Sequence, residues 1–299
     1  MPVDSSDLPG TAANASTWGQ LAYVEARYAW SDLRQSFSEA VEAGLKPWLD
    51  SGQPYLRQQL TFALGRFDEG AALLRYCEFD DDKLPPKPRD VLDIGTGNGG
   101  VAFAFANCPD YRMTSIDIGQ NRVLRHVARS TGLRVRYALA SGHDLPYAAE
   151  TFDIVLLIEA IEHISKPRRL GREIIRVLRP GGVCLISTPA RLRYLLAPDP
   201  HYGVRCIAGL PNFLQRFAVN RIARRRMTSP DGTSWPAYDV EHLYWHVQGV
   251  TDLFPGPKTV AALFARPMNG GPVFSREWWR RTLRNFLFDY VLVYKAGRS

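Results

Sequence analysis

VLDIGTGNGG, residues Val91 to Gly100, decides how this chain is read. A short apolar run carrying one acid, Asp93, passes into a glycine-rich turn, and the helix-like run VAFAFA (Val101 to Ala106) follows directly. Gly95, Gly97 and Gly99 permit a tight turn and a close approach to a ligand, because no Cβ stands in the way. The start of the next helix offers unbonded N–H groups and the positive end of its dipole. Strand, glycine turn and helix in this order predict a nucleotide-type cofactor site.

Two cofactor classes compete for that loop. Gly95, Gly97 and Gly100 satisfy G-x-G-x-x-G, the dinucleotide pattern, which alone is a weak signal. Asp93 speaks against NAD, because its charge would face a bound pyrophosphate. It suits a cofactor that carries an ammonium group and no phosphate, and S-adenosylmethionine is such a cofactor. Asp117, near the end of MTSIDIG (Met113 to Gly119), fits either class, since an acid at the tip of a second strand bonds ribose hydroxyls.

The segments GHDLPYAAETFDIVLLIEAIEHI (Gly142 to Ile164) and LRPGGVCLISTP (Leu178 to Pro189) follow. In this order the motifs resemble the class I S-adenosylmethionine-dependent methyltransferases, and within them the group that includes the quinone-biosynthesis O-methyltransferases. The resemblance runs from about Arg89 to Pro189, with a looser echo in the last strand. It implies that Gly95, Gly97 and Gly99 line the methionine end of the cofactor and that Asp93 holds its ammonium. It implies that Asp117 takes the ribose, with Ile118 beside the adenine. Asp144 and Leu145 correspond to the segment that meets the adenine amine, and Ile158 to a position near the cofactor.

The acceptor side rests on Ile158 to His163, I-E-A-I-E-H. Glu159, Glu162 and His163 fall just past the fourth expected strand, at the rim where open α/β sheets bind ligands. His163 is the candidate general base for a hydroxyl acceptor, since imidazole titrates near neutral pH, and Glu162 is the second candidate catalytic residue. A histidine that only packs or caps the next helix is the alternative. A third reading is a divalent metal: the E-x-x-E-H pattern of Glu159, Glu162 and His163 resembles one that holds a divalent ion in some methyltransferases, two carboxylates and an imidazole suit such an ion chemically, and His201 is the candidate fourth ligand. No metal is assigned.

The expected fold is α/β, a doubly wound Rossmann-like sheet, mostly parallel with an antiparallel last strand. Strands are expected at Asp90–Ile94, Arg112–Asp117, Val135–Leu139, Phe152–Ile158, Gly182–Ser187 and Tyr290–Tyr294. Helices are expected at Val101–Ala106, Arg122–Ser130 and Pro167–Val177. Residues 1–17 read as a loose tail and 18–88 as a helical cap and linker, with Leu33, Phe37 and Val41 at helical spacing. Residues 89–299 read as the cofactor domain, interrupted after the fifth strand by an insertion over 190–238.

Composition bounds the rest. A hydrophobic content of 45% over 299 residues is sufficient for a full core. No apolar run reaches the roughly 20 residues of a membrane span, and the polar start lacks a signal-peptide core. The four cysteines, Cys77, Cys108, Cys184 and Cys206, form no C-x-x-C pair, which fits a reduced, cytoplasmic protein. The net charge of +7 permits an anionic partner without specifying nucleic acid, and no RNA module is present. Within 205–227, Phe213, Leu214, Phe217 and Ile222 are interleaved with Arg216, Arg221, Arg224, Arg225 and Arg226. That pattern fits a solvated lid helix or a peripheral contact with a membrane surface. Trp278 and Trp279 open a late helix in which at most one is fully core.

The expected function is methyl transfer from S-adenosylmethionine to a hydroxyl of a small-molecule, glycan or lipid-linked acceptor. The alternatives are an NAD-dependent oxidoreductase on a similar sheet and a non-catalytic cofactor-binding or partner-binding module.

Overall fold

The computed structural model describes residues 30–49, 54–79, 84–119, 122–132, 134–188, 247–263 and 290–295, with short pieces between 206 and 235. The N-terminal tail, His201, the arginines of 205–227, and Trp278 with Trp279 lie outside the described residues. The described residues fall into two compact units, one up to Ser141 and one from Gly142 onwards.

The first unit opens with two helices, α1 (Trp30–Leu49) and α2 (Pro54–Phe79). Then come β1 (Arg89–Ile94), α3 (Gly100–Ala106), β2 (Tyr111–Asp117), α4 (Arg122–Thr131) and β3 (Arg136–Leu139). β1 pairs with β2 and β2 with β3, both parallel, with Val91 opposite Met113 and Ile116 opposite Ala138. Val91 and Leu92 point to opposite faces and neither is exposed, as expected for a parallel strand covered on both sides. The three helices α1, α2 and α3 meet through aromatic rings. Phe37 stacks on Phe67 at 4.7 Å and leans on Phe103 at 5.7 Å, and such pairs add to plain burial.

The second unit holds β4 (Phe152–Ile158), a 3₁₀ turn (Ile161–His163), α5 (Pro167–Val177) and β5 (Leu178–Ser187). A two-residue hairpin follows, β6 (Met227–Thr228) with β7 (Ser234–Trp235), then α6 (Val247–Thr251), β8 (Lys258–Leu263) and β9 (Tyr290–Lys295). The strand order is β3-β2-β1 in the first unit and β4-β5-β9-β8 in the second. β9 runs antiparallel to both β5 and β8. The fold is therefore the expected α/β sheet with an antiparallel strand near one edge.

Two departures from the sequence reading shape the main sheet. β5 begins at Leu178, where Gly182 was expected, because Arg179, Pro180 and Gly181 continue the strand through a register irregularity opposite Phe152 to Ile154. A Cβ on Gly182 would lie 2.9 Å from the Asp153 carbonyl, and this close approach requires glycine. β8, KTVAAL, was not expected at all. Its short, weakly apolar run follows a Pro-Gly-Pro turn, and it becomes a strand by pairing along the full length of β9. The same partner secures α5, since Lys295 Nζ donates to the Ile175 and Leu178 carbonyls at the helix C-terminus.

Candidate cofactor site and acceptor residues

β1 delivers the glycine loop. Gly95 and Thr96 donate their amides to the Ile116 carbonyl at 2.9 and 3.2 Å, which folds the loop back over the end of β2. Gly95, Gly97 and Gly99 all have positive φ, at 78°, 51° and 85°, where a side chain is disfavoured. Their reasons for being glycine differ. Gly97 is exposed, and a Cβ there would meet nothing within 4 Å among the described residues, which leaves room for a ligand. Gly99 is buried, and its Cβ would sit 2.9 Å from Leu124 and Phe103. Gly100 would strike the Phe67 amide at 2.6 Å and the Ala63 carbonyl at 2.7 Å. Across the same crossing, a Cβ on Gly70 would lie 2.5 Å from Ala104 Cβ. α2 and α3 therefore touch backbone to backbone under the loop.

Asp117, at the tip of β2, is part of the loop's framework. Its Oδ2 accepts from the Gly97 amide at 3.0 Å and its Oδ1 from the Gly119 amide at 3.1 Å. Ile118 beside it is largely exposed, at 71%.

Asp93 sits beneath the loop, 2% exposed. Burial pushes its carboxyl up to about 7; the neighbouring Thr96 hydroxyl and the Arg66 charge pull it back, and Asp117 pushes it further up. Asp93 Oδ2 and Ser115 Oγ are buried and make no hydrogen bond among the described residues. Buried polar groups left so are uncommon and call for a partner. An acceptor-rich, negatively polarised spot of this kind suits a cationic donor and disfavours a pyrophosphate. The sequence reading missed Arg66, which lies on α2 in a region read only as a cap. No local signal marks it, because only the packing of α2 on α3 brings its charge near Asp93.

In the second unit the segment Gly142–Tyr147 is held by α5. Arg176 donates from Nη2 to the Leu145 carbonyl at 2.9 Å and from Nη1 to the Tyr147 carbonyl at 2.6 Å. The Leu145 amide donates to Glu173 Oε2 at 2.9 Å, and Arg169 Nε donates to the His143 carbonyl at 2.7 Å. Glu173 and Arg176 are themselves paired. That pair holds the Glu173 carboxyl below the usual carboxylate range; partial burial opposes this and the Leu145 amide adds to it. Leu145 is buried and Asp144 is exposed.

Ile158 ends β4, 5% exposed. Glu159 follows with a positive φ of 47°, its amide donating to the Ser187 carbonyl at 2.9 Å. Ser187 Oγ returns a bond to Glu159 Oε1 at 3.1 Å. Glu162 is fully buried and accepts from the Thr188 hydroxyl at 3.2 Å. His163 is exposed at the end of the 3₁₀ turn. The end of β5 thus organises both glutamates, a role for Ser187 and Thr188 that the sequence did not suggest. No group of three metal-ligating side chains is assembled among the described residues. No helix among them is long and apolar enough to cross a membrane. Within the insertion, Phe213 and Phe217 are 70% and 66% exposed. Cys184 is buried in β5, and burial pushes its thiol up, so it is inert.

A family model described as a methyltransferase domain matches residues 92–186. Norajmaline N-methyltransferase from Rauvolfia serpentina is 29% identical over 195 residues, 61% of this chain and 63% of that one. Ajmaline N-methyltransferase from the same organism is 34% identical over 117 residues, 38% of this chain and 40% of its own. The chain thus covers less than two thirds of either relative's length. A solved SAM-dependent methyltransferase from Methanosarcina mazei aligns at 19% identity over 73% of this chain and 98% of that chain, with a TM-score of 0.43. The stretch that matches a methyltransferase domain, residues 92–186, is the one that holds the glycine loop, Asp117, Asp144 and the Ile158–His163 segment.

Proposed function

We propose that the chain transfers a methyl group from S-adenosylmethionine to a hydroxyl of a small-molecule, glycan or lipid-linked acceptor. The observation that carries this reading is Asp93, a buried carboxyl with an unbonded oxygen under an open glycine loop. When bound, S-adenosylmethionine supplies an electrophilic methyl group on a positively charged sulfur. Asp93 and Thr96 bind the ammonium of its amino-acid end, and Arg66 supplies the opposite charge for the carboxylate. Asp117, already fixed by the Gly97 and Gly119 amides, offers its remaining lone pairs to the ribose. Ile118 lies along the adenine, Asp144 accepts from the adenine amine, and Ile158 packs near the cofactor. The leaving group is neutral, so the chain needs no general acid and is left with alignment and removal of a proton. His163 takes the hydroxyl proton, with Glu162 beside it in the same turn. The exposed Phe213 and Phe217 and the arginines that follow them in sequence support a lipid-linked acceptor met at a membrane surface.

Calorimetry with S-adenosylhomocysteine tests the cofactor. Binding on the order of micromolar is expected, weakened about 10- to 100-fold in Asp117→Ala, the loss of charge-assisted hydrogen bonds. A folded wild type that binds none would refute the reading and return the nicotinamide and partner-only alternatives.

Nitrogen is the second reading for the acceptor atom, favoured by the two N-methyltransferase relatives. His163→Gln separates the two once an acceptor is found by screening alcohols and amines for methyl incorporation. For a hydroxyl acceptor kcat should fall about 10²- to 10⁴-fold. An unchanged kcat with an amine would assign nitrogen.

A further inference from the structure

We infer that the outer side of α4 and the start of β3 form a basic face that seats the first unit on an anionic phospholipid bilayer. The inference deepens the membrane-surface reading above, and it rests on that reading only for the choice of a bilayer as the partner.

Between Asp117 and Asp144 the chain carries Arg122, Arg125, Arg129, Arg134 and Arg136 and no acid. Val123, Leu124 and Val127 are buried on one side of α4. The helical period puts Arg125 and Arg129 on the opposite side, and both are exposed. The chain turns at Gly132, where φ is 68°, and enters β3 with Arg134 and Arg136 exposed as well. β3 pairs with β2 on one side and with no strand on the other among the described residues.

Other arginines of this unit are tied down. Arg34 is paired with Asp68, Arg66 with Glu69 and Arg112 with Asp90. Among the described residues no carboxylate holds Arg125, Arg129, Arg134 or Arg136, although α4 packs on α1, which carries Glu39 and Glu42. Glu39 accepts from Gln35 instead. The helix dipole favours a cation in the last turn, which accounts for Arg129 and not for the other three. Exposed like charges left together repel one another, and an anionic surface relieves them.

Guanidinium groups suit phosphate. Nucleic acid also presents phosphate, but its recognition uses side chains that stack on bases or read their edges. Over residues 125–136 the exposed side chains besides the arginines are His126 and Ser130, which share a hydrogen bond. The Tyr137 hydroxyl is spent on the Gly119 carbonyl. A bilayer asks only for clustered positive charge near its surface, which is what this face offers.

Sedimentation of the full chain with vesicles of equal parts phosphatidylserine and phosphatidylcholine, against phosphatidylcholine alone, tests the face. Wild type should bind the anionic vesicles, and added salt should weaken that binding. Changing Arg125, Arg129, Arg134 and Arg136 together to glutamine should weaken it about fivefold per arginine, about 100-fold or more in all. The same four changed to lysine should keep most of it, because a bilayer answers to charge and not to the guanidinium fork. Both variants should melt with the wild type, since all four positions are exposed. Should the glutamine variant not fold, Arg125→Gln with Arg129→Gln alone, about 25-fold weaker, is read in the same way. Phe213→Ser with Phe217→Ser is the comparison. If only that pair weakens vesicle binding, the inference is overturned and the membrane-surface reading stands. A glutamine variant that keeps its hold on vesicles but loses one on duplex RNA would also overturn it, in favour of nucleic acid. A wild type that ignores anionic vesicles overturns the inference and the membrane-surface reading together, and S-adenosylhomocysteine binding remains a separate test of the cofactor.

Discussion

Asp93→Asn is expected to weaken S-adenosylhomocysteine binding by about 100-fold or more while the unliganded protein loses no stability above pH 8. Removing one partner of a buried charge pair typically costs 2–5 kcal/mol of binding, and Asp93 is buried at the spot where the ammonium is proposed to sit. The unliganded protein behaves in the opposite way. Its Asp93 carboxyl titrates at about 7, well above the ordinary 3.8, chiefly because burial disfavours the charge. A raised carboxyl favours the protonated fold. Its contribution is complete below about pH 4 and is lost as the pH climbs through 7. Above pH 8 the wild type therefore carries a buried charge that disfavours the unliganded state by roughly 2–4 kcal/mol, and asparagine does not. Ligand binding needs the carboxylate, so wild-type affinity should rise about tenfold per pH unit between 5 and 7 and then level off. In Asp93→Asn that rise should vanish. Calorimetry from pH 5 to 8 and thermal melts at pH 8 read both effects. A flat affinity profile in the wild type would remove Asp93 from the ammonium site.

Gly100→Ala should be the more damaging change to the fold. The added Cβ would lie 2.6 Å from the Phe67 amide and 2.7 Å from the Ala63 carbonyl, both backbone atoms of α2. Backbone cannot rotate out of the way, so the two helices must part, and with them the stacked Phe37, Phe67 and Phe103. Overpacking of this kind costs about 3 kcal/mol, which lowers the melting temperature by about 5 °C in a chain of this size. Gly97→Ala is the informative comparison. Its Cβ meets open space, and the cost is the positive φ alone, roughly 1–2 kcal/mol. Its effect should appear instead in cofactor affinity, because the methyl group occupies the space left above the loop. Melting curves and titrations of both variants should rank them in opposite order. A larger drop in melting temperature at Gly97 than at Gly100 would contradict this assignment.

The two glycines show why the site was only partly legible. As letters, Gly95, Gly97, Gly99 and Gly100 look equivalent, and the motif assigned the first three to the ligand. In the folded chain Gly97 leaves room above the loop, whereas Gly99 and Gly100 leave room for Leu124, Phe103 and α2. The motif carries the requirement for glycine but not the neighbour that imposes it. The same holds for GHDLPY, whose Asp144 was visible in the sequence while its support from α5 was not.

The amino-acid sequence by itself determined the sheet, the glycine turn and the placement of the acids at strand tips. The limits of β4 and α5 matched their expected residues, Phe152–Ile158 and Pro167–Val177. These features are legible because burial on both faces writes a continuous apolar run, and a turn with positive φ selects glycine at that very residue. Tertiary structure alone decided β8, which is a strand by virtue of β9, and the backbone contact of Gly70 and Gly100 with the opposite helix. It also decided the hold of Arg169, Glu173 and Arg176 on a loop distant in sequence, and the rise of Asp93 to about 7. Each depends on what a residue meets after folding: an edge to pair with, a helix to press against, a carbonyl to bind, or the water that burial takes away.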